Sequence, residues 1–294
     1  MKKLLFLLAV LIVAGFSMNS CVKESKAPDA GYNVTETGVN STQLLEAPLD
    51  VFLQADRAIR LQRDSIVARN INQSTFSFKI GYINFTVSPA DTVTFPKTVT
   101  VDFGTDTSKS YTGKMILKLT GKMRTNGSYC AVTYVNLITG KSLISGTDTI
   151  ISSGISNGYV VTRYNMHGGK LLGYGSKNIN YDGRVISKFN LSTGTNVLDS
   201  VEINATDANQ WVYKLYSIPV QKLQITSDCN YFNAGGIVSV IKINNILTGY
   251  MAFDFSFNYS GYTYACDADG AIYAQSYLNK NYYQPFYFYA KKFQ

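Results

Sequence analysis

The sequence predicts an all-β fold, an antiparallel meander closing as a sandwich or a rolled, barrel-like sheet, preceded by one short helix. Two observations carry this. From Gln73 onward, apolar and polar residues alternate with period two: Phe76, Phe78, Ile80 and Tyr82 share one face, and Met115, Leu117 and Leu119 another. Such alternation marks half-buried antiparallel strands. Turn dipeptides then recur 11 to 18 residues apart, at Asn126-Gly127, Thr139-Gly140, Asn157-Gly158, Gly168-Gly169, Asp182-Gly183 and Thr193-Gly194. Regular hairpin signals at that interval predict consecutive strands joined by tight turns. No helical period interrupts the array, which argues against an α/β architecture.

The chain starts with Lys2 and Lys3, followed by an apolar run from Leu4 to Gly15. A short basic region, an apolar stretch of about 7–15 residues and a small residue before the cut describe a secretory signal. The run is shorter than the ~20 apolar residues that span a bilayer. Because a cysteine follows Ser20, residues 1–20 read as a lipoprotein signal, with Cys21 carrying diacylglycerol and palmitate as the new N-terminus. Two or more acyl chains suffice for stable anchoring. Residues 21–47 are polar and poor in large apolar side chains, and read as a flexible tether.

Residues 48–294 are expected to hold the helix and the β domain. Pro48-Leu49-Asp50 opens a helix over about 49–69, with Phe52, Ala55, Ile59 and Ile66 at helical spacing. This narrow stripe predicts a helix lying on the sheet or plugging its open end. Strands follow, with later turns at Asn244-Asn245, Ser260-Gly261 and Asp269-Gly270. A sub-boundary is expected near Pro219, where the central meander passes into a cysteine-bearing C-terminal part. Of the cysteines beyond Cys21, Cys130 sits mid-strand, whereas Cys229 and Cys266 lie beside predicted loops. An exported compartment permits disulfides, and Cys229–Cys266 is the expected pair.

Composition narrows the function classes. Without Lys2 and Lys3, 25 basic residues face 19 acidic ones, a net charge of +6. The basic residues are scattered rather than massed on one stripe, which argues against nucleic acid as a partner. His167 is the only histidine, so a His-based triad would have to use it and a metal site has no second histidine to share, and as a turn residue without convergent partners it reads as non-functional. Asp267-Ala268-Asp269-Gly270 resembles the start of a calcium loop, but Leu278 stands where a bidentate Glu is needed. No metal or cofactor is therefore expected. Paired carboxylates, the minimum for glycoside hydrolysis, are not singled out by any spacing. The C-terminal run from Asn281 to Tyr289 is densely aromatic. Tyr283, Tyr287 and Tyr289 are candidates for a ligand face, since tyrosine combines an apolar body with a polar tip; a final structural strand is the plainer reading.

Val22-Lys23-Glu24 after the cysteine resembles the short tag of Bacteroidota lipoproteins displayed on the outer face of the outer membrane. Val99-Thr100-Val101-Asp102-Phe103-Gly104, then Gly113-Lys114 through Gly121, then Asn126-Gly127-Ser128 resemble a group of uncharacterised Bacteroidota surface lipoproteins. Cys229, Gly235 or Gly236, Asp254-Phe255 and Cys266-Asp267 match the same group in outline. This chain departs from it where Phe257–Tyr264 replaces a Gly-Asp-Gly loop before the second cysteine. The resemblance covers roughly residues 98–275 and implies an all-β fold and a place, with no activity.

The expectation is a lipid-anchored outer-membrane protein facing the exterior, non-catalytic, with a binding or structural role toward a glycan or another surface protein. Two alternatives stay open: a polysaccharide-processing enzyme using carboxylates, and a carrier of an apolar ligand in a cupped sheet. A deep apolar pocket favours the carrier, and facing carboxylates favour the enzyme.

Overall fold

The computed structural model describes residues 34–139, 142–172, 178–225, 234–243, 246–255, 269–276 and 280–287. One long helix, α1 (Val34–Ala68), comes first. The strands β1 (Phe76–Ile80), β2 (Ile83–Ser88), β3 (Lys97–Gly104) and β4 (Tyr111–Leu119) follow. After them run β5 (Tyr129–Thr139), β6 (Ser142–Ser156), β7 (Tyr159–Leu172), β8 (Asn178–Asn190) and β9 (Asn196–Asp207). The chain then forms β10 (Val212–Ser217), β11 (Leu223–Ile225), β12 (Gly236–Ile243), β13 (Ile246–Asp254), β14 (Asp269–Ser276) and β15 (Lys280–Tyr287). The described strands make one antiparallel sheet in chain order. Only β11 leaves the path, pairing with β9, and β1 and β15 are its open ends. The all-β meander is thus as the alternation predicts. Pairing runs unbroken from β9 through β10 to β12, so the sheet continues across Pro219.

The sheet curls around α1. The helix touches β3, β5, β6 and β10, Ser41 bonds to Ser239 on β12, and Gly38 approaches Met251 on β13. Between Asn40 and Gln62 no residue is exposed. At 100° per residue, the buried positions cover about two thirds of the circumference, against the ~100° stripe of an ordinary surface helix. Only Gln43, Glu46, Asp50, Leu53, Arg57 and Arg60-Leu61 form a half-exposed strip, spaced three or four residues apart. The result is a rolled, open sheet with a helix as its core.

This corrects two readings. The helix starts at Val34, so 34–47 is helical rather than tether, and Asn40–Thr42, Leu44, Leu45 and Ala47 are buried. Pro48, expected to open the helix, lies inside it. An internal proline costs about 3 kcal/mol. Burying Leu44, Leu45, Leu49 and Phe52, all at most 1% exposed, contributes roughly 1.5–3 kcal/mol each and outweighs it. The polar residues that made this stretch read as solvated have partners on the sheet. Asn40 Nδ2 donates to Tyr213 Oη (2.9 Å) and Asp207 Oδ2 (3.2 Å). Asp50 accepts from Tyr111 Oη and Thr139 Oγ1, both at 2.7 Å. Gln54 Nε2 donates to Tyr111 Oη at 3.1 Å, and Asp56 accepts from Asn196 Nδ2 at 3.5 Å. Satisfied buried polar pairs of this kind specify one arrangement, because a slip of the helix strands every member.

Three predicted turns are strand instead. Gly168-Gly169 lies within β7 at a bulge and Asp182-Gly183 within β8, while Asp269-Gly270 begins β14. A Cβ on Gly169 would sit 2.3 Å from the Tyr181 ring, and one on Gly183 2.7 Å from the Glu202 carbonyl oxygen. These glycines make room for close packing rather than for a reversal. β7 runs on to Leu172 and β8 begins at Asn178. On the outward face, Asp102–Lys114, Asp199–Lys188 and Glu202–Arg184 pair across neighbouring strands.

Candidate functional site

In a meander, alternate turns fall at the same end. The β2–β3 loop, the β4–β5 turn, the β6–β7 hairpin and the β8–β9 turn all lie where α1 ends. There the helix and sheet separate and leave a cavity of about 400 Å³, within the range of small-molecule sites. Ile59 and Ile66 of the helix, Leu119, Met123, Ile150, Val160 and Phe189 supply its apolar wall.

The charged residues around it are uneven: Arg60, Arg63, Lys97, Lys122 and Arg124 against Asp56 and Asp91. Both acids are engaged. Asp56 Oδ2 pairs with Arg60 Nη2 at 2.9 Å. Asp91 Oδ1 accepts the backbone N–H groups of Val93 (2.8 Å) and Thr94 (2.6 Å), and hydrogen bonding to Thr94 pulls its carboxyl down to about 2. Two of the cations are engaged as well. The Arg60 guanidinium also lies 4.0 Å over the Phe189 ring. Lys97, 2% exposed, donates from Nζ to the carbonyls of Pro89 (2.6 Å) and Asp91 (2.7 Å), which pins the loop between β2 and β3. Burial lowers its pKa, offset in part by Asp91.

Arg63, Lys122 and Arg124 remain. Arg63 has only a 3.9 Å approach to Asp64, itself exposed, and the other two have no ion pair among the described residues. The Arg124 pKa is lowered, first by burial and then by the positive charge of Arg63, with the Asp64 carboxylate opposing the shift. Gln62 Nε2 donates to the Ile59 carbonyl at 3.1 Å, while its buried Oε1 has no partner among the described residues.

A second polar cluster lies inside the sheet. Asp148, 2% exposed, accepts from the hydroxyls of Tyr134 and Tyr164, which are 2.9 Å from each other. Burial raises the pKa of all three groups. Phe52 of α1 packs on Tyr164 with ring centroids 5.0 Å apart. No described cavity opens onto these residues, and their hydrogen bonds are made internally, so the cluster holds strands β5, β6 and β7 together under the helix.

Cys21, Cys229, Cys266 and Tyr289 lie outside the described residues. Tyr283 and Tyr287 belong to β15, opposite Tyr273 and Asp269 of β14. Cys130 is a buried free thiol on β5, pushed up to about 12 by burial. His167 is exposed on β7, opposite Thr147. Among the described residues no three His, Cys, Asp or Glu side chains gather as a metal site. The cavity residues themselves come from six separate stretches, none of which carries a motif. No family model, curated protein or solved structure matches this chain.

Proposed function

We propose that this protein binds a small apolar or amphipathic molecule in the cavity at the C-terminal end of α1, as a carrier or receptor module. In this reading a lipid on Cys21 holds it to the outer membrane, facing the exterior, and the helix-filled sheet is the rigid holder of the site. The observation that carries it is the apolar, roughly 400 Å³ space between helix and sheet, in a molecule whose core is otherwise filled by the helix itself. Carboxylate-based hydrolysis has less support. The two carboxylates at the cavity are tied up by Arg60 and by the β2–β3 loop, which leaves neither free as the acid or base such chemistry needs.

The test is a titration with N-phenyl-1-naphthylamine, a neutral dye that brightens in apolar surroundings. Saturable one-to-one binding is expected. Met123, 8% exposed on the β4–β5 turn, can be enlarged into the cavity without disturbing a strand. Met123→Trp should weaken the dye at least tenfold while the melting temperature stays close to the parent's. Absence of saturable binding by the parent, or unchanged binding by a folded Met123→Trp variant, overturns the proposal.

A further inference from the structure

We propose that the cavity's ligand carries an anionic head group, held at the mouth by Arg63, Arg124 and Lys122, with an aliphatic body running inward. This rests on the cavity being a binding site. The body follows from the lining. Ile66, Leu119 and Ile150 are each 1% exposed and Met123 8%, so the deeper wall offers a chain little to hydrogen-bond. The volume corresponds to about thirteen water-sized units at ~30 Å³ each, close to the non-hydrogen atom count of a twelve-carbon acid.

The head follows from charge. Five cations and two anions surround the space. Subtracting the pairs and loop contacts already made by Arg60, Asp56, Lys97 and Asp91 leaves Arg63, Lys122 and Arg124, with the exposed Asp64 carboxylate 3.9 Å from Arg63 as the one acid near them, a net positive charge. Some positive charge near the end of α1 is expected from the helix dipole, which favours cations at a C-terminus. That effect fades within the last turn. Arg124, on the β4–β5 turn, is not part of the helix. The Arg63 and Arg124 guanidinium groups at this mouth repel, which shows in the lowered Arg124 pKa, an effect that water at these exposed and half-exposed positions weakens and the Asp64 carboxylate partly offsets. An anion between them removes the repulsion, and guanidinium groups suit carboxylate and phosphate because their planar forks donate two parallel hydrogen bonds. Lys122, exposed beside them, adds a point charge at the rim. A neutral alcohol of the same length gains the wall and none of this.

A carboxylate and a phosphate monoester share that chemistry, and the experiment separates them. Displacement of the bound dye is measured with dodecanoate, dodecyl phosphate and 1-dodecanol, below micelle-forming concentrations. The parent and the Arg63→Gln and Arg124→Gln variants are compared, at low and at moderate salt. At least one of the two anions should displace the dye at a tenfold lower concentration than dodecanol. Raising the salt should narrow that gap, and each variant should cut it severalfold while leaving dodecanol unchanged. A tighter dodecanoate assigns a free carboxylate, and a tighter dodecyl phosphate assigns a phosphate head. Equal displacement by all three in the parent overturns the anionic head but leaves the cavity as an apolar site. Displacement by none of them, together with no dye binding, overturns the site itself. Both glutamine variants lie at exposed or half-exposed positions and should fold as the parent does. If their preference for an anion matches the parent's, these arginines are not the seat.

Discussion

If α1 is the core of the rolled sheet rather than a helix laid upon it, truncations on widely separated sides of it should both be costly. Leu44 and Leu49 are 0% and 1% exposed and stand about 140° apart around the axis at 100° per residue. A surface helix with a ~100° apolar stripe cannot bury both. Leu→Ala at a buried site costs about 2–5 kcal/mol, from lost transfer energy plus the cavity left behind. Each single variant should therefore lose a substantial share of a domain's usual ~5–15 kcal/mol. For a unit of this size one kcal/mol moves the melting temperature by roughly 2–4 °C, so each should melt about 4–20 °C below the parent. Val67→Ala, 56% exposed in the last turn, serves as the control and should stay within about 0.5 kcal/mol. The assay is thermal and urea unfolding followed by far-ultraviolet circular dichroism. If either leucine variant unfolds with the control, that side of the helix is not enclosed and the core has been misassigned.

Asp148→Asn probes the buried tyrosine cluster through pH. The Asp148 pKa is raised by burial, so the folded state binds its proton more tightly than the unfolded chain. The stability this group contributes is present at low pH and is lost as pH rises from the ordinary carboxylate value through the folded one. Urea unfolding should show the parent losing ground to Asp148→Asn across that window; a constant difference would contradict it. Cys130, buried with its thiol pushed up to about 12, should resist iodoacetamide at pH 8 in the native Cys229→Ser/Cys266→Ser background and react once urea is added. Ready labelling of the native form would place it at the surface. Cys21→Ser should abolish incorporation of a palmitate analogue during growth, and equal labelling of variant and parent would remove the lipid anchor from the account.

Much of the sheet was legible because a half-buried strand writes its burial into every second residue. Met115, Leu117 and Leu119 read as one face and are one face. The glycine pairs misled because glycine serves two purposes. At Asn157-Gly158 it turns the chain, with φ of +50° and +79°, while at Gly169 it admits the Tyr181 ring. The helix extends beyond its apolar periodicity because its first half is polar, and polarity signals solvent only when no partner is near. Asn40, Ser41 and Asp50 find theirs on strands 61 to 198 residues away, a relation no local pattern records. The cavity was illegible for the same reason. Arg63 and Arg124 are 61 positions apart and become neighbours only when the β4–β5 turn reaches the end of the helix.

Native-state hydrogen exchange, with and without dodecanoate, tests the whole account most directly. The amides from Leu44 to Ile59 should fall in the slowest class, together with the central strands β6–β8. Dodecanoate should slow exchange around Gln62–Val67 and Gly121–Thr125 and leave β12–β13 unchanged. A helix that exchanges as fast as the hairpin turns, or protection by the ligand anywhere other than this end of the sheet, would contradict it.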